Sequence, residues 1–154
     1  MQMSRIVRTT ADLAFPFILV YGFYIIIHGH LTPGGGFQGG AILASAMLLL
    51  LLAYRYQEST RYVRKTMMKT LESGGLLLFG ITALSAMALG AGYFYNWLSP
   101  RGLLFGDIVE VGSSFANLNT AGLIPIMNLA VGIEVVGAAS VILLALLSGI
   151  KEKI

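Results

Sequence analysis

Three side chains in this 154-residue sequence carry ionisable groups where charge is hard to keep. Glu134 interrupts the apolar run from Ile124 to Ile150, and His28 and His30 follow the apolar run from Leu13 to Ile27. A carboxylate in a segment long enough to cross hydrocarbon is costly, and it marks either an ion or proton pathway or a polar contact between helices. With a helix over 124–150 the midpoint is residue 137, so Glu134 sits less than one turn from the centre. Its face carries Ala130, Gly137, Ala138 and Val141, a narrow surface that suits a partner helix. A carboxyl group there suits binding and releasing a proton or meeting sodium. A structural polar residue at a subunit interface fits the same position.

The two histidines are separated by one residue. Such a pair ligates a metal only with further ligands, since zinc sites need three or four. No Cys, Asp or Glu lies in their loop, so no metal site is expected, and the readings left open are structural hydrogen bonding and a part in ion or proton passage. The absence of cysteine removes disulfides, thiol nucleophiles and iron–sulfur ligands. With no nucleophile or third ligand beside the histidines, the chain offers no catalytic centre of its own, and no cofactor is expected in it. Redox chemistry, if any, belongs to a partner.

The histidines open the stretch His28-Gly29-His30-Leu31-Thr32-Pro33-Gly34-Gly35-Gly36-Phe37-Gln38-Gly39-Gly40. Pro33 biases Thr32 away from helix, and the glycines permit backbone angles closed to other residues, so the stretch is expected to be a shaped, non-helical link. Pro33, Gly34, Gly35, Gly36, Gln38, Gly39 and Gly40 are its structural residues. It is not a phosphate loop, because the Gly-Lys-Ser/Thr ending is missing. Irregular backbone near membrane depth needs protein or a water-filled cavity around it.

The elements that must position these residues are membrane helices. Hydrophobic residues make up 56% of the chain and charged residues 11%, against about 25% charged in an ordinary soluble domain. The expected fold is all-α, a single membrane domain over residues 1–154, with spans near 11–29, 37–55, 73–97 and 124–150. Pro16 falls one turn into the first apolar run, where its missing N–H is tolerated near a helix start. The first run lacks a small-residue cleavage site and is followed by further spans, so it is expected to stay in the mature protein.

Orientation follows from the basic residues. Arg5, Arg8, Arg55, Arg61, Arg64, Lys65, Lys69, Lys151 and Lys153 fall on one side of the four spans and Arg101 alone on the other, which places both termini in the cytoplasm. Tyr93, Tyr95 and Trp97 are expected as interfacial anchors at the outer end of the third span. The net charge of +3 does not point to nucleic acid, because the basic residues flank apolar runs instead of sharing one solvated face. Gly40 and Ala44, Ala41 and Ser45, and Thr82, Ala86 and Gly90 have the four-residue spacing that lets membrane helices approach closely, either within the bundle or against another subunit. Asp12 and Glu72 are expected at the cytoplasmic starts of spans one and three, where an anion favours a helix N-terminus. Asp107 and Glu110, in the external segment, are weaker candidates for a cation-attracting mouth, with ordinary solvation as the plainer role.

The thirteen-residue stretch from His28 to Gly40, preceded by Pro16 and Tyr24, resembles the signature of the MnhB family, one of the small membrane components of the Mrp-type multisubunit sodium/proton antiporters. The likeness extends to the chain length, the basic middle loop, and a last span entered by Gly122-Leu123-Ile124-Pro125 and containing Asn128, Gly132 and Gly137. The resemblance implies a multi-pass protein of the cell membrane. It implies an accessory subunit in an assembly that exchanges Na+ for H+, with other membrane subunits and lipid as partners. Related subunits in archaeal membrane-bound hydrogenase and sulfur or polysulfide reductase complexes imply a second setting, in which an Mrp-like module is coupled to a redox arm. The many antiporter members that carry lysine in the segment corresponding to Glu134 imply a departure here toward the redox-coupled relatives. A purely structural bridging subunit is the alternative.

Overall fold

In the computed structural model, residues 3–31, 33–54, 64–101 and 121–151 are described. Helix α1 spans Arg5–Ile27, α2 Gly35–Ala53, α3 Lys65–Ala88, the single-turn α4 Leu98–Arg101, and α5 Ile124–Lys151. Helices α1, α2, α3 and α5 are each long and apolar enough to cross a membrane, and no strand occurs among the described residues. The protein is an all-helical, multi-pass membrane protein. At ~1.5 Å per residue, the 28 residues of α5 reach about 42 Å.

Helix ends do not coincide with the ends of the apolar runs, because hydropathy records contact with lipid whereas a helix ends where its caps are. Ser4 caps α1, its Oγ accepting from the Val7 N–H at 3.4 Å, so α1 starts six residues before the expected span. Pro16 is therefore interior, and the helical donor it removes is the one due to the Asp12 carbonyl, four residues back. Asp12 is not at a helix start either. Helix α3 begins at Lys65, its polar first turns preceding the apolar run, and this puts Glu72 eight residues in and rules out the capping role.

The far end of α3 is closed by a Schellman turn. Gly90 takes φ +75°, the Ala91 N–H donates to the Ala86 carbonyl and the Gly90 N–H to the Met87 carbonyl, both at 3.0 Å. Tyr93, Tyr95 and Trp97 thus lie beyond the helix, in a segment that folds back on it. The Phe94 N–H donates to the Ala83 carbonyl at 3.2 Å, Trp97 Nε1 donates to Ser85 Oγ at 2.8 Å, and the Phe94 ring packs on Phe79 with centroids 5.8 Å apart. Asn96 then holds the entry to α5: its Nδ2 donates to the Ala121 carbonyl at 2.8 Å and its Oδ1 accepts from the Leu123 N–H at 2.9 Å.

Glycine sets the packing. Without a hydrophobic drive between helices in lipid, close backbone approach supplies the van der Waals contact. A Cβ at Gly39 would stand 2.8 Å from the Gly22 carbonyl oxygen, and one at Gly22 would meet Leu43, so α1 and α2 run antiparallel. One at Gly36 would overlap the Asn128 carbonyl, and one at Gly40 would stand 2.9 Å from the Gly132 carbonyl oxygen, so α2 and α5 run parallel. Partner numbers fall as α3 rises: Gly75 faces Glu134 and Gly137 faces Glu72, an antiparallel pair. Ile26 of α1 reaches Gly132 of α5. Among these helices α5 is the hub, packed by α2 on one side and α3 on the other, with α1 completing the bundle against α2.

The up-and-down order brings the start of α1 and the end of α5 to one end of the bundle. Arg5, Arg8, Arg64, Lys65, Lys69 and Lys151 belong to that basic end, where Leu51, Met68 and Leu144 form a buried apolar cluster. The opposite end, which holds the link between α1 and α2, is called the link end below. Phe17, Val20 and Tyr21 on α1 and Leu76, Leu77, Ile81 and Leu84 on α3 are exposed, an apolar exterior that water would not tolerate on this scale.

Candidate functional site

Of the described residues in the stretch read as a non-helical link, only 28–31, 33 and 34 turn. Gly35, Gly36, Gly39 and Gly40 are buried in α2, where their missing side chains admit α5 and α1. Pro33 stands exposed in the turn, and Gly34 takes φ +136°, a conformation that no L side chain adopts easily. The Gln38 amide oxygen folds back over Gly34, yet α2 receives no side-chain cap at its N-terminus. Gly35 follows at φ +58° with Asn128 Oδ1 beside it: a Cβ there would stand 3.0 Å from that oxygen.

The two histidines have different surroundings. His28 ends α1, its backbone N–H donating to the Tyr24 carbonyl at 3.0 Å, its ring Nδ1 lying 3.1 Å from the same carbonyl and its ring stacked on that of Tyr24 with centroids 4.2 Å apart. This is local helix-end bonding. His30 points its polar atoms inward instead: both ring nitrogens are inaccessible, and neither has a partner at hydrogen-bonding geometry. Burial pushes the His30 imidazole below its ordinary value of 6.5, the Ile27 backbone opposes this, and neighbouring His28 adds to the lowering. Asn128 of α5 lies between the link and α2, and its Nδ2 is buried without a partner. A Cβ at Gly29 would stand 3.1 Å from that nitrogen. No group of three His, Cys, Asp or Glu that could hold a metal comes together among the described residues.

Glu134 lies deeper, on α5 at the crossing with α3. A Cβ at Gly75 would stand 2.6 Å from the Glu134 backbone nitrogen, 2.7 Å from the Ala130 carbonyl oxygen and 2.8 Å from the Glu134 Cα. The same triplet recurs with the helices exchanged: a Cβ at Gly137 would meet the Glu72 nitrogen, the Met68 carbonyl oxygen and the Glu72 Cα. The residue pairs 68 and 130, 72 and 134, and 75 and 137 are therefore related by a local two-fold axis. For antiparallel helices such an axis stands perpendicular to the plane of the pair. Both glutamates consequently leave the crossing on one face of the pair, offset by about 4.5 Å along it for three residues of rise. The Glu134 carboxylate forms no hydrogen bond or ion pair among the described residues. Glu72 was not legible as its companion, although the spacing Glu-x-x-Gly occurs in both helices.

Asp12 has a different occupation. Tyr54, at the C-terminus of α2, donates its hydroxyl to Asp12 Oδ2 at 2.5 Å, which fastens α1 to α2 at the basic end. Of the small-residue pairs, Gly40, Ala44, Thr82 and Ala86 are buried in seams, whereas Ala41, Ser45 and Gly90 are exposed. Asp107 and Glu110 lie outside the described residues.

Comparison with known proteins gives a consistent set. The profile of a family described as domain related to MnhB subunit of Na+/H+ antiporter matches residues 6–151. The uncharacterized protein MJ1307 of Methanocaldococcus jannaschii is 33% identical over 131 residues, 83% of this chain and 47% of that protein. A putative antiporter subunit mnhB2 of Staphylococcus aureus is 34% identical over 99 residues, 62% of this chain and 70% of the relative. A chain from the membrane-bound sulfane sulfur reductase, an archaeal respiratory membrane complex, superposes with a TM-score of 0.73 and 34% identity, over 96% of this chain and 59% of the other. The protein thus spans about half the length of the M. jannaschii relative.

Proposed function

Because the chain belongs to the family of domains related to the MnhB subunit of the Na+/H+ antiporter, we propose that it is an accessory membrane subunit of a multisubunit cation/proton antiporter-type module. In this reading it bridges larger membrane subunits and contributes to the path of Na+ or H+. The observation that carries the ion-path role is the α3–α5 crossing, where Glu134 and Glu72 emerge on one face from backbones held in contact by Gly75 and Gly137. Intramembrane carboxylates persist where they meet ions, protons or a polar partner, and here the glycine pair fixes their positions. His30 supplies a second polar group nearer the link end, and His28 serves the helix end. Both chain termini face the cytoplasm, a placement supported by the basic residues gathered at one end. The complex of the solved relative favours coupling to a redox arm held by other subunits; the S. aureus relative represents the stand-alone alternative.

Purification in mild detergent with identification of co-migrating subunits tests the assembly, and separates an antiporter from a redox-coupled complex. Four spans and two carboxylates offer too few groups for alternating access, so the isolated polypeptide in liposomes is expected to show no sodium-dependent proton movement. Robust antiport by this chain alone would overturn the accessory role. A Glu134→Gln and Glu72→Gln double variant that assembles and transports like the parent across pH would leave only the structural bridging reading.

A further inference from the structure

The four long helices form a row and do not close on themselves. Helix α5 packs against α2 and α3, α1 packs against α2 and reaches α5 at Gly132, and neither α1 nor α2 forms a packed seam with α3. The α3–α5 pair is thus left open on the side where Glu72 and Glu134 emerge, and both glutamates are only half-buried. Residues three, four or eight positions apart share a helix face. Lys69 and Leu76 therefore flank Glu72, and Ala138 and Ile142 follow Glu134 on the same side of α5. Leu76 is 58% exposed and Ile142 59%.

This open face carries polar groups at a depth where lipid offers them nothing. Glu134 stands about 15 Å from the start of α5 and about 25 Å from its end, and the crossing sets Glu72 beside it. Hydrocarbon reaches only about 15 Å to either side of the midplane, and the ammonium of a lipid headgroup stays at its edge. Neither carboxyl group forms a hydrogen bond or ion pair among the described residues, and Lys69, the nearest base on their face, forms none with Glu72. An ionised carboxylate only accepts, and acyl chains donate nothing. The complement is a strong donor brought in at the same depth, and bases within membranes pair with acids in this way. Two acceptors related by the local two-fold axis suit one ammonium or guanidinium placed between them. Ala138, one turn from Glu134, keeps this side of α5 low enough for another helix to approach.

We propose that this face of the α3–α5 pair is the docking surface for a membrane helix of a neighbouring subunit, one that carries a lysine or arginine at the depth of Glu72 and Glu134. The inference rests on the subunit reading given above and names the partner that this surface fits. It holds whether or not the two glutamates also lie on the ion path.

The test is photo-crosslinking in the native complex, kept in its membrane, with p-benzoylphenylalanine in place of Leu76 or Ile142 and sequencing of the captured peptide. Both positions are expected to capture one helix of one neighbouring subunit, with a Lys or Arg within a turn of the crosslinked residues. Glu134→Gln or Glu72→Gln alone leaves one carboxylate for the base and should lower the crosslink about threefold or less. The double variant leaves the base without a partner and should lower it about tenfold or more. Lys69→Gln should change it by no more than about twofold. Should the double variant fail to fold, replacing the captured base by glutamine decides the matter, because it leaves this chain intact: the same loss supports the proposal and an unchanged crosslink overturns it. Capture of lipid alone, a captured helix without a base, a folded double variant that crosslinks like the parent, or a tenfold loss with Lys69→Gln would each overturn it. A double variant that crosslinks normally and no longer transports would overturn docking and leave the ion path standing. Single variants that keep the crosslink and transport like the parent would support docking and remove the ion path.

Discussion

The two seams of α5 use one device to different ends. Toward α2 the helices run parallel, Gly36 and Gly40 admit the α5 backbone, and the polar groups stay at the head of the seam, in Asn128 and His30. Toward α3 the helices run antiparallel, Gly75 and Gly137 make the contact, and two glutamates are carried into the body of the bundle. Glycine crossings therefore fix an apolar clasp in one case and position two carboxyl groups in the other. The difference lies in the neighbours of the glycines, since the backbone contact is alike in both.

The largest effect is expected from filling either seam. Gly36→Ala and Gly75→Ala place a methyl group against backbone atoms that cannot rotate away, and each should cost about 3 kcal/mol or more, read as loss of folded yield and of unfolding midpoint in detergent. Gly74→Ala is the internal contrast. Nothing lies within 4 Å of a Cβ there, so replacing an interior helix glycine should gain up to about 1 kcal/mol. Equal damage at positions 74 and 75 would break the account of the antiparallel seam.

The carboxyl group is the feature that distinguishes the seams, and Glu134→Gln removes it with little change of shape. In the whole complex, the proposed ion-path role predicts that sodium-linked transport or coupled turnover falls about two- to tenfold with normal assembly. Glu134→Asp should keep part of the function. A Gln variant equal to the parent at every pH would make the two seams functionally equivalent.

A smaller loss is expected at the basic end. Tyr54→Phe deletes the hydroxyl bound to Asp12, and should lower stability by about 1–2 kcal/mol without altering transport. A transport defect at normal stability would mean that Asp12 also handles ions.

The smallest effect concerns the head of the parallel seam. Folding lowers the His30 value below 6.5, so the unfolded chain binds more protons as pH falls. Stability from this group is complete above that value and declines as pH drops through it. Unfolding midpoints between pH 8 and pH 5 should fall more in the parent than in His30→Gln, and identical slopes would show that His30 is not shielded in the folded protein.

Four apolar runs were enough to read four membrane helices, because hydrocarbon imposes length and composition together. Their ends were not legible from hydropathy: Ser4 and Lys65 start helices well before the apolar stretches, and the turn at Gly90 stops α3 before the aromatic residues. The same displacement hid Glu72, which reads as a helix-start residue only if α3 begins at Ser73. The His-Gly motif drew attention to the link end, but which glycines turn and which pack depends on α5, nearly a hundred residues away. Asn128 carries no signal of its own. Its importance comes from Gly29 and Gly35, which no local pattern connects to it.

The position of α5 at the hub also has a consequence for biogenesis. Synthesis delivers helices in chain order, and early elements settle first. The α1–α2 hairpin can close as soon as both helices are in the bilayer, through Gly22, Gly39 and the Tyr54 hydroxyl. Helix α3 then waits, because its main contact is with α5, which emerges later. A nascent chain stopped before Ile124 would therefore hold a finished hairpin beside a loose helix, with Glu72 facing lipid and recognisable to membrane quality control.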